Sequence, residues 1–227
     1  MGLARAAMAQ HGTVVFTHEQ TKGKGQRMKE WVSSKRLNLA LSVMVAPTQL
    51  RGLPQFSVSR MAAIAVQELV SNYVKNDVTI KWPNDIYWRD RKAAGILIEN
   101  IWQGREWHLS VIGIGLNVNQ TDFRELGTRA VSLKQITGNH FEPLTLAKEL
   151  CSLLDNKYQL LCSNLSAIED QYKSHLYKLN QQVKLRKDHR VFEALFTDVN
   201  SNGQMVIHNG MEEAFNVGEV EWVINGA

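Results

Sequence analysis

Glycines and basic residues alternate near the start of the chain in a way that suits a phosphate group. Gly23 and Gly25 permit the backbone to turn its amide groups toward an anion. Lys24, Arg27 and Lys29 bring positive charge to the same loop. The spacing is not that of a Walker loop, and Gly-x-Gly alone is a weak signal. A surface loop with solvated charges remains the alternative.

Charged and polar groups also concentrate in residues 81–100, at the ends of two predicted strands. The first strand ends at a proline, which has no backbone N–H to donate, and Asn84 and Asp85 are expected in the tight turn that follows. The next strand begins after Lys92 and is interrupted by Gly95. A strand glycine usually marks a bulge or the close approach of a ligand or another backbone. An ordinary charged hairpin tip has the same composition, so catalytic and structural interpretations both stay open.

A second glycine-interrupted strand is predicted in residues 111–119. Gly113 and Gly115 lie two positions apart and therefore on one face, where they leave a flat floor for a planar ring. Asn117 falls on the same face and could contact a base edge or a ribose.

Composition sets limits on the class of protein. A chain of 227 residues with a net charge of +4 can bury one substantial core and perhaps a small second unit. It shows no apolar run of about 18 residues and no signal segment, so we expect a soluble, cytoplasmic protein without membrane contact. Cys151 and Cys162 are expected as core thiols. No DNA- or RNA-binding motif accompanies the charge, so nucleic acid is not an expected partner.

Periodicity predicts an α+β protein with a second, smaller unit. Strands are predicted at residues 13–17, 37–45, 78–82, 93–101 and 108–118, and helices at residues 2–10, 56–74, 129–137, 144–162 and 165–176. From residue 181 the pattern changes to short strands separated by turn residues, which indicates a small β-barrel. The boundary is expected near residues 177–181.

Sequence blocks resemble those of the biotin protein ligases, also called biotin–[acetyl-CoA-carboxylase] ligases. The matching blocks are the basic glycine loop at 23–31, Lys-Trp-Pro-Asn-Asp at 81–85, Lys-x-x-Gly-Ile-Leu-x-Glu at 92–99 and Gly-x-Gly-Leu-Asn-Val-Asn at 113–119. The second and third blocks are highly specific, and the resemblance covers essentially the whole chain. It implies a class II synthetase-like α+β catalytic domain with a mixed or antiparallel sheet at residues 1–178, and a small SH3-like barrel at residues 179–227.

The resemblance also implies a reaction. Biotin would be activated by ATP as biotinyl-AMP, and the biotinyl group would pass to a lysine of a biotin carboxyl carrier protein. The catalytic residues implied are Lys92, Asp85 and Lys24, with Lys92 between the carboxylate and the α-phosphate. The implied Mg²⁺ ligands are Asn84 and Asp85.

Binding roles follow from the same motif positions. The residues implied for biotin are Gln20, Gly23, Lys24, Lys92 and Gly95. The residues implied for ATP are Arg27, Trp31, Lys81, Asn84, Gly115 and Asn117. A homodimer is also possible for such a protein.

The chain departs from the family pattern in several places. Gln26 replaces the second basic residue of the loop, which leaves Arg27 as the candidate for the phosphates. No DNA-binding module precedes the catalytic region, so repressor activity is not expected. The family's Ser-Thr-Asn segment, which lines the biotin pocket, is absent before Met1. We therefore expect weak biotin binding, or association through an exposed sheet edge.

Two other functions stay open at this point. One is a lipoyl or octanoyl transferase of the same fold, although lipoate ligases lack the second and third blocks as they stand here. The other is a truncated biotin-binding homologue with impaired catalysis.

Overall fold

The computed structural model describes residues 10–26, 30–123 and 129–224. The strands are β1 (Val14–Thr17), β2 (Leu39–Val45), β3 (Val78–Lys81), β4 (Asp85–Trp88), β5 (Arg91–Gln103), β6 (Glu106–Leu116), β7 (Gln182–Lys187), β8 (Arg190–Val199), β9 (Met205–Asn209), β10 (Met211–Phe215) and β11 (Glu221–Trp222). The α-helices are α1 (Phe56–Tyr73), α2 (Leu133–Thr137), α3 (Pro143–Ser163) and α4 (Leu165–Ser174).

The strands form two antiparallel sheets. The first is six-stranded, in the order β1-β2-β6-β5-β4-β3, and the second is five-stranded, in the order β10-β9-β8-β7-β11. The predicted α+β fold is confirmed, and the second sheet is consistent with a small barrel. The chain passes from α4 to β7 between Ser174 and Gln182. The predicted division into two domains at this point stays a prediction.

Helix α1 is buried along most of its length against one face of the six-stranded sheet. Its apolar residues recur at helical spacing, and Ala65, Leu69 and others are fully buried. In β2, Leu41 and Val43 belong to the same core, whereas Met44 belongs to a separate small cluster. Successive strand residues point to opposite faces, so the sheet has one helix-covered face and one face left for other contacts.

Two predicted elements differ from those observed. Asp85 does not lie in a turn but begins the short strand β4, which pairs with β3 and β5. The predicted helix at residues 129–137 is shorter, because Ser132 caps α2 in a reciprocal capping box with Gln135. Ala130 instead forms a parallel bridge with Lys92.

Some of the remaining predictions can be compared with the structure, and one concerns residues outside the described ranges. The predicted helix at residues 2–10 falls almost wholly outside the described residues. Cys151 and Cys162 are free thiols, and both are half-buried against the core and not within it, which corrects the prediction of core thiols. Within the described ranges, no helix is both long enough and apolar enough to cross a membrane.

Candidate functional site

One row of paired residues crosses the six-stranded sheet and carries much of the predicted site. In order across the sheet, it consists of Thr17, Ala40, Gly115, Gly95, Asp85 and Lys81. Directly paired residues point to the same face of an antiparallel sheet. Ile86, the neighbour of Asp85, belongs to the core under α1, so this register row lies on the opposite face.

A β-bulge brings Lys92 to the face of the register row. Lys92 lies three positions before Gly95, and residues at odd spacing face opposite sides of a regular strand. The pairing of β4 with β5 shifts at this point, so that Tyr87 pairs with Lys92 and Ala93 is the extra residue. As a result, Lys92 Nζ lies 2.8 Å from Asp85 Oδ1. The spacing within Lys-x-x-Gly therefore depends on the bulge.

Two other segments hold the backbone of the bulge. Lys92 N donates to Arg129 O at 2.7 Å, and Val131 N donates to Lys92 O at 2.9 Å. Asn117 N donates to Ala93 O at 2.9 Å. The side-chain Nδ2 of Asn117 also donates to Lys92 O, at 3.3 Å. These bonds satisfy backbone groups that the bulge removes from the ladder, so Lys92 is anchored through its main chain.

The glycines of the register row leave room for the indole ring of Trp31. A Cβ added at Gly115 would lie 2.6 Å from Trp31 Nε1, closer than real Cβ contacts allow. A Cβ added at Gly95 would lie 3.2 Å from Trp31 Cζ3 and 3.1 Å from Lys92 Nζ. Each glycine thus marks a close approach, as its position in a strand indicates. Trp31 Nε1 is buried and has no hydrogen-bond partner among the described residues.

The glycine loop folds back on itself beside Trp31. Trp31 N donates to Gly23 O at 3.0 Å, and Lys24 forms an isolated bridge with Glu30. A Cβ at Gly23 would collide with the Trp31 carbonyl oxygen and would lie 3.1 Å from Gln20 Oε1. The structure therefore places Gln20, Gly23 and Trp31 together. Lys24 itself is exposed.

A hydrogen-bonded amide joins the loop to the turn before β4. Asn84 is buried, and its Nδ2 donates to Ile96 O at 2.6 Å. Its Oδ1 accepts a hydrogen bond from Gln26 Nε2 at 3.2 Å. Both bonds fix the orientation of the Asn84 amide. Gln26, the residue that replaces a basic one, thus contacts a predicted site residue.

Lys81 connects the register row to the second sheet. Its Nζ lies 5.0 Å from the ring centroid of Tyr87 and 5.6 Å from that of Trp222. Burial raises the pKa of Tyr87, and the charge of Asp85 raises it further, so the phenol stays neutral beside this carboxylate. The predicted ATP residue Lys81 therefore sits against aromatic rings at the edge of the row.

The predicted phosphate and metal ligands are only partly covered by the described residues. Arg27 falls outside the described residues. Within the described parts of the chain, no group of three or more His, Cys, Asp or Glu side chains could hold a metal ion. Asn84 and Asp85 remain neighbouring oxygen donors, which alone suit only a cation that takes most of its ligands from phosphate and water.

Sequence reasoning did not single out Tyr87 or Trp222, and it named Gln26 only as a departure from the family loop. For Tyr87 a signal existed, because it lies two positions after Asp85 and so shares its face. Trp222 arrives from the far end of the chain, and no local pattern indicates its contact with Lys81.

Comparison with known proteins places these features in context. Residues 4–117 match the Biotin/lipoate A/B protein ligase family. The chain is 32% identical over 155 residues to the Bifunctional ligase/repressor BirA of Bacillus subtilis (strain 168), covering 66% of this chain and 47% of that protein. It is 34% identical over 140 residues to the Biotin--[acetyl-CoA-carboxylase] ligase of Mycobacterium tuberculosis, covering 58% of this chain and 49% of that protein. The chain thus spans about half the length of these relatives.

Solved structures resemble the whole chain. The structure of the biotin protein ligase from Aquifex aeolicus in complex with biotin and ATP has a TM-score of 0.80. It is 21% identical in sequence, and the match covers 96% of this chain and 91% of that chain. At this identity the likeness establishes the fold alone.

Proposed function

The chain belongs to the biotin/lipoate A/B protein ligase family, and from this premise we propose that it is an ATP-dependent biotin ligase. It activates biotin as biotinyl-AMP and transfers the biotinyl group to a lysine of a biotin carboxyl carrier protein. The names of its relatives, which are biotin ligases at 31% to 34% identity, support biotin over lipoate.

The observation that carries this proposal is the Lys92–Asp85 pair beside the glycines of the register row. The bulge turns the Lys92 ammonium toward the face of the sheet opposite to helix α1. Gly95 and Gly115 have no side chains, so the sheet surface next to the Lys92 ammonium is flat. A fixed cation beside a flat floor of glycine backbone and the Trp31 indole suits an anionic group attached to a flat ring.

In the first step, a biotin carboxylate oxygen forms a bond to the α-phosphorus of ATP. The bond from that phosphorus to the bridging oxygen breaks, and pyrophosphate leaves with the electron pair. Negative charge on the approaching carboxylate and phosphate oxygens opposes this attack. Lys92 neutralises both groups, and its anchored backbone spares the reorganisation that a mobile cation would need.

In the second step, the carrier lysine amine attacks the carbonyl carbon of biotinyl-AMP. An amide bond forms, the bond between that carbon and the phosphate oxygen breaks, and AMP leaves. The amine loses a proton in this step. Asp85 lies next to Lys92 and supplies a carboxylate that can orient the amine and accept its proton.

Mg²⁺ accompanies ATP in such chemistry and neutralises phosphate charge. Asp85 Oδ2 and Asn84 Oδ1 are the oxygens that would hold it. They fit an ion that binds through one or two carboxylates together with phosphate and water. Asn84 Oδ1 would keep the Gln26 hydrogen bond on one lone pair and ligate the ion with the other.

Pyrophosphate release tests the first step. The protein is incubated with ATP and Mg²⁺ and with biotin, lipoate or octanoate in parallel. Of the three acids, we expect only biotin to cause release of pyrophosphate. Release with lipoate or octanoate but not with biotin would instead identify an ATP-dependent ligase of the same fold for those acids.

Mass spectrometry of a carrier domain tests the second step. A biotin carboxyl carrier domain is incubated with the protein, biotin, ATP and Mg²⁺, and its mass is compared with that of a domain whose acceptor lysine is replaced by arginine. We expect a biotinyl mass increase on the unaltered domain only. Biotin binding without pyrophosphate release or transfer would contradict the proposal and indicate a binding homologue.

A further inference from the structure

A guanidinium group is buried in the core at Arg60, in the second turn of α1. Arg60 is 1% exposed, and its Nη1 pairs with Glu169 Oε1 of α4 at 2.6 Å. Its Cζ lies 5.3 Å from the centroid of Phe56 and 5.9 Å from that of Tyr172. Glu169 is 30% exposed, so the desolvation cost falls mainly on Arg60, and apolar residues of the same volume are often as stabilising as such a pair. The burial of Arg60 at this position therefore needs an explanation other than stability.

The second terminal nitrogen of Arg60 binds the turn between β8 and β9. Nη2 donates to Asn200 O at 2.7 Å and to Val199 O at 3.2 Å. The turn is itself closed by a side chain, because Asn200 Oδ1 accepts from Asn202 N and from Gln204 N, each at 3.1 Å. Arg60 thus grips a rigid turn of the second sheet.

That turn and helix α4 both contact the residues that lead into the candidate site. Trp82 Nε1 donates to Gly203 O at 2.9 Å, and Tyr172 Oη donates to Pro83 O at 2.7 Å. Gly203 has a φ of +80°, and a Cβ there would lie 2.8 Å from Phe56 Cε2. The turn has no freedom to withdraw from Trp82 without breaking this packing. Trp82 and Pro83 are therefore fixed from outside the six-stranded sheet.

We infer that Arg60 is a positioning residue of the ligase site. It holds the β8–β9 turn against Trp82, and through Trp82 and Pro83 it sets the position of Asn84 and of Asp85, the next residue, which belongs to the register row. The inference rests on the proposed function for its kinetic consequences, but its geometric part does not. It also gives the second sheet a role in activation without any contact with the reacting groups.

The kinetic test uses Arg60→Lys, which keeps the charge but cannot bind Glu169 and the turn together. We expect kcat for biotin-dependent pyrophosphate release to fall about tenfold, since displacement of reacting groups by about 1 Å costs up to a hundredfold. Biotin affinity, measured by calorimetry, should stay within twofold. Arg186→Lys is the matched control, because Arg186 is half-exposed in the second sheet and lies 4.0 Å from Glu221.

A double-mutant cycle shows whether Arg60 acts through Asn84. In a protein that carries Asn84→Ala, the further change Arg60→Lys should lower kcat clearly less than the tenfold expected in the parent, because only its effect through Asp85 remains. The same tenfold loss in both backgrounds would mean that the two residues act independently, and it would overturn the inference.

Hydrogen exchange gives a readout that does not require ligase activity. In Arg60→Lys, a peptide containing residues 82–86 should exchange faster, while a peptide from residues 111–116 should not change. Trp82→Phe, which removes one hydrogen bond and keeps an aromatic ring, should give the same pattern and serves if Arg60→Lys does not fold. Unchanged exchange at 82–86 in a folded variant overturns the inference. Absence of pyrophosphate release by the unaltered protein would refute the proposed function and leave this measurement standing.

Discussion

The β4–β5 strand pair and the glycine loop meet in the candidate site but are held in different ways. Lys92 is fixed by main-chain hydrogen bonds from two neighbouring segments. The described part of the loop reaches the row through side chains, namely the indole of Trp31 and the amide of Gln26. Main-chain pairing places a group more rigidly than a side chain on a loop does. The β4–β5 strand pair, which carries Lys92, is therefore the fixed side of the site. The glycine loop, which carries Trp31 and Gln26, is the adjustable side that covers it.

The largest effect is expected when the fixed side loses its cation. Lys92→Ala should lower biotin-dependent pyrophosphate release by at least about a hundredfold, the scale for removal of one group that stabilises transition-state charge. The fold should persist, because Lys92 is partly exposed and only its side chain is lost. A stopped-time pyrophosphate assay together with a thermal melt measures both.

Arg91→Ala is the matched control for Lys92→Ala. Arg91 precedes Lys92 in β5 and lies over the ring of Trp88, with its Cζ 5.0 Å from the centroid. We expect near-parent activity from this variant. Equal losses of activity in the two variants would show that any positive charge at the hairpin contributes equally. The orientation that the bulge gives to Lys92 would then have no special role.

An intermediate effect is expected where the two sides touch. Gly115→Ala places a methyl group 2.6 Å from Trp31 Nε1, so the indole must leave the floor. We expect ATP affinity to fall about tenfold, which corresponds to about 1.4 kcal/mol. Titration calorimetry with ATP in the presence of biotin measures it.

Gly113→Ala controls for the loss of a strand glycine. Gly113 lies on the same strand and the same face as Gly115, and among the described residues its added methyl group would meet only Leu97 O, at 3.5 Å. ATP affinity should stay within about twofold of the parent value. A larger loss at Gly113 than at Gly115 would place the nucleotide floor further from Trp31 than we propose.

The smallest effect is expected when the adjustable side loses its tether. Gln26→Ala removes the hydrogen bond to Asn84 Oδ1, and such bonds contribute about 1 kcal/mol net. The apparent KM for ATP should rise roughly fivefold with kcat nearly unchanged. A fall in KM would show that Gln26 competes with the nucleotide for Asn84 instead of holding it in place.

Much of the fold was predictable, because long apolar patterns with clear stops determine it. The spacing in α1 and the alternation in β2 are examples. The strand β4 was missed because it has four residues between two turns, too few for a pattern to emerge. The helix at 129–137 was predicted too long because Arg129 O and Val131 N bond the backbone of Lys92, a demand that arises only in the folded chain.

The candidate site was predictable where both residues of a contact belong to the sequence blocks. Lys92 and Asp85 were named from their blocks, and they form an ion pair. The position of Trp31 on Gly95 and Gly115 was not foreseen, because a close approach across strands leaves no mark beyond the glycines themselves. Arg60 was invisible to pattern reasoning, since a buried arginine in an amphipathic helix reads as one more polar residue.

The extra residue at Ala93 has a consequence for folding. A uniformly pleated strand can slide by two residues along its partner and keep every side chain on its face. A strand with a bulge loses that freedom, because its unpaired residue must stay opposite one place on the partner. β5 has 13 residues and could otherwise pair with the short β4 at several offsets. The residue that turns the lysine toward its carboxylate thus also selects one alignment of these strands while the sheet assembles.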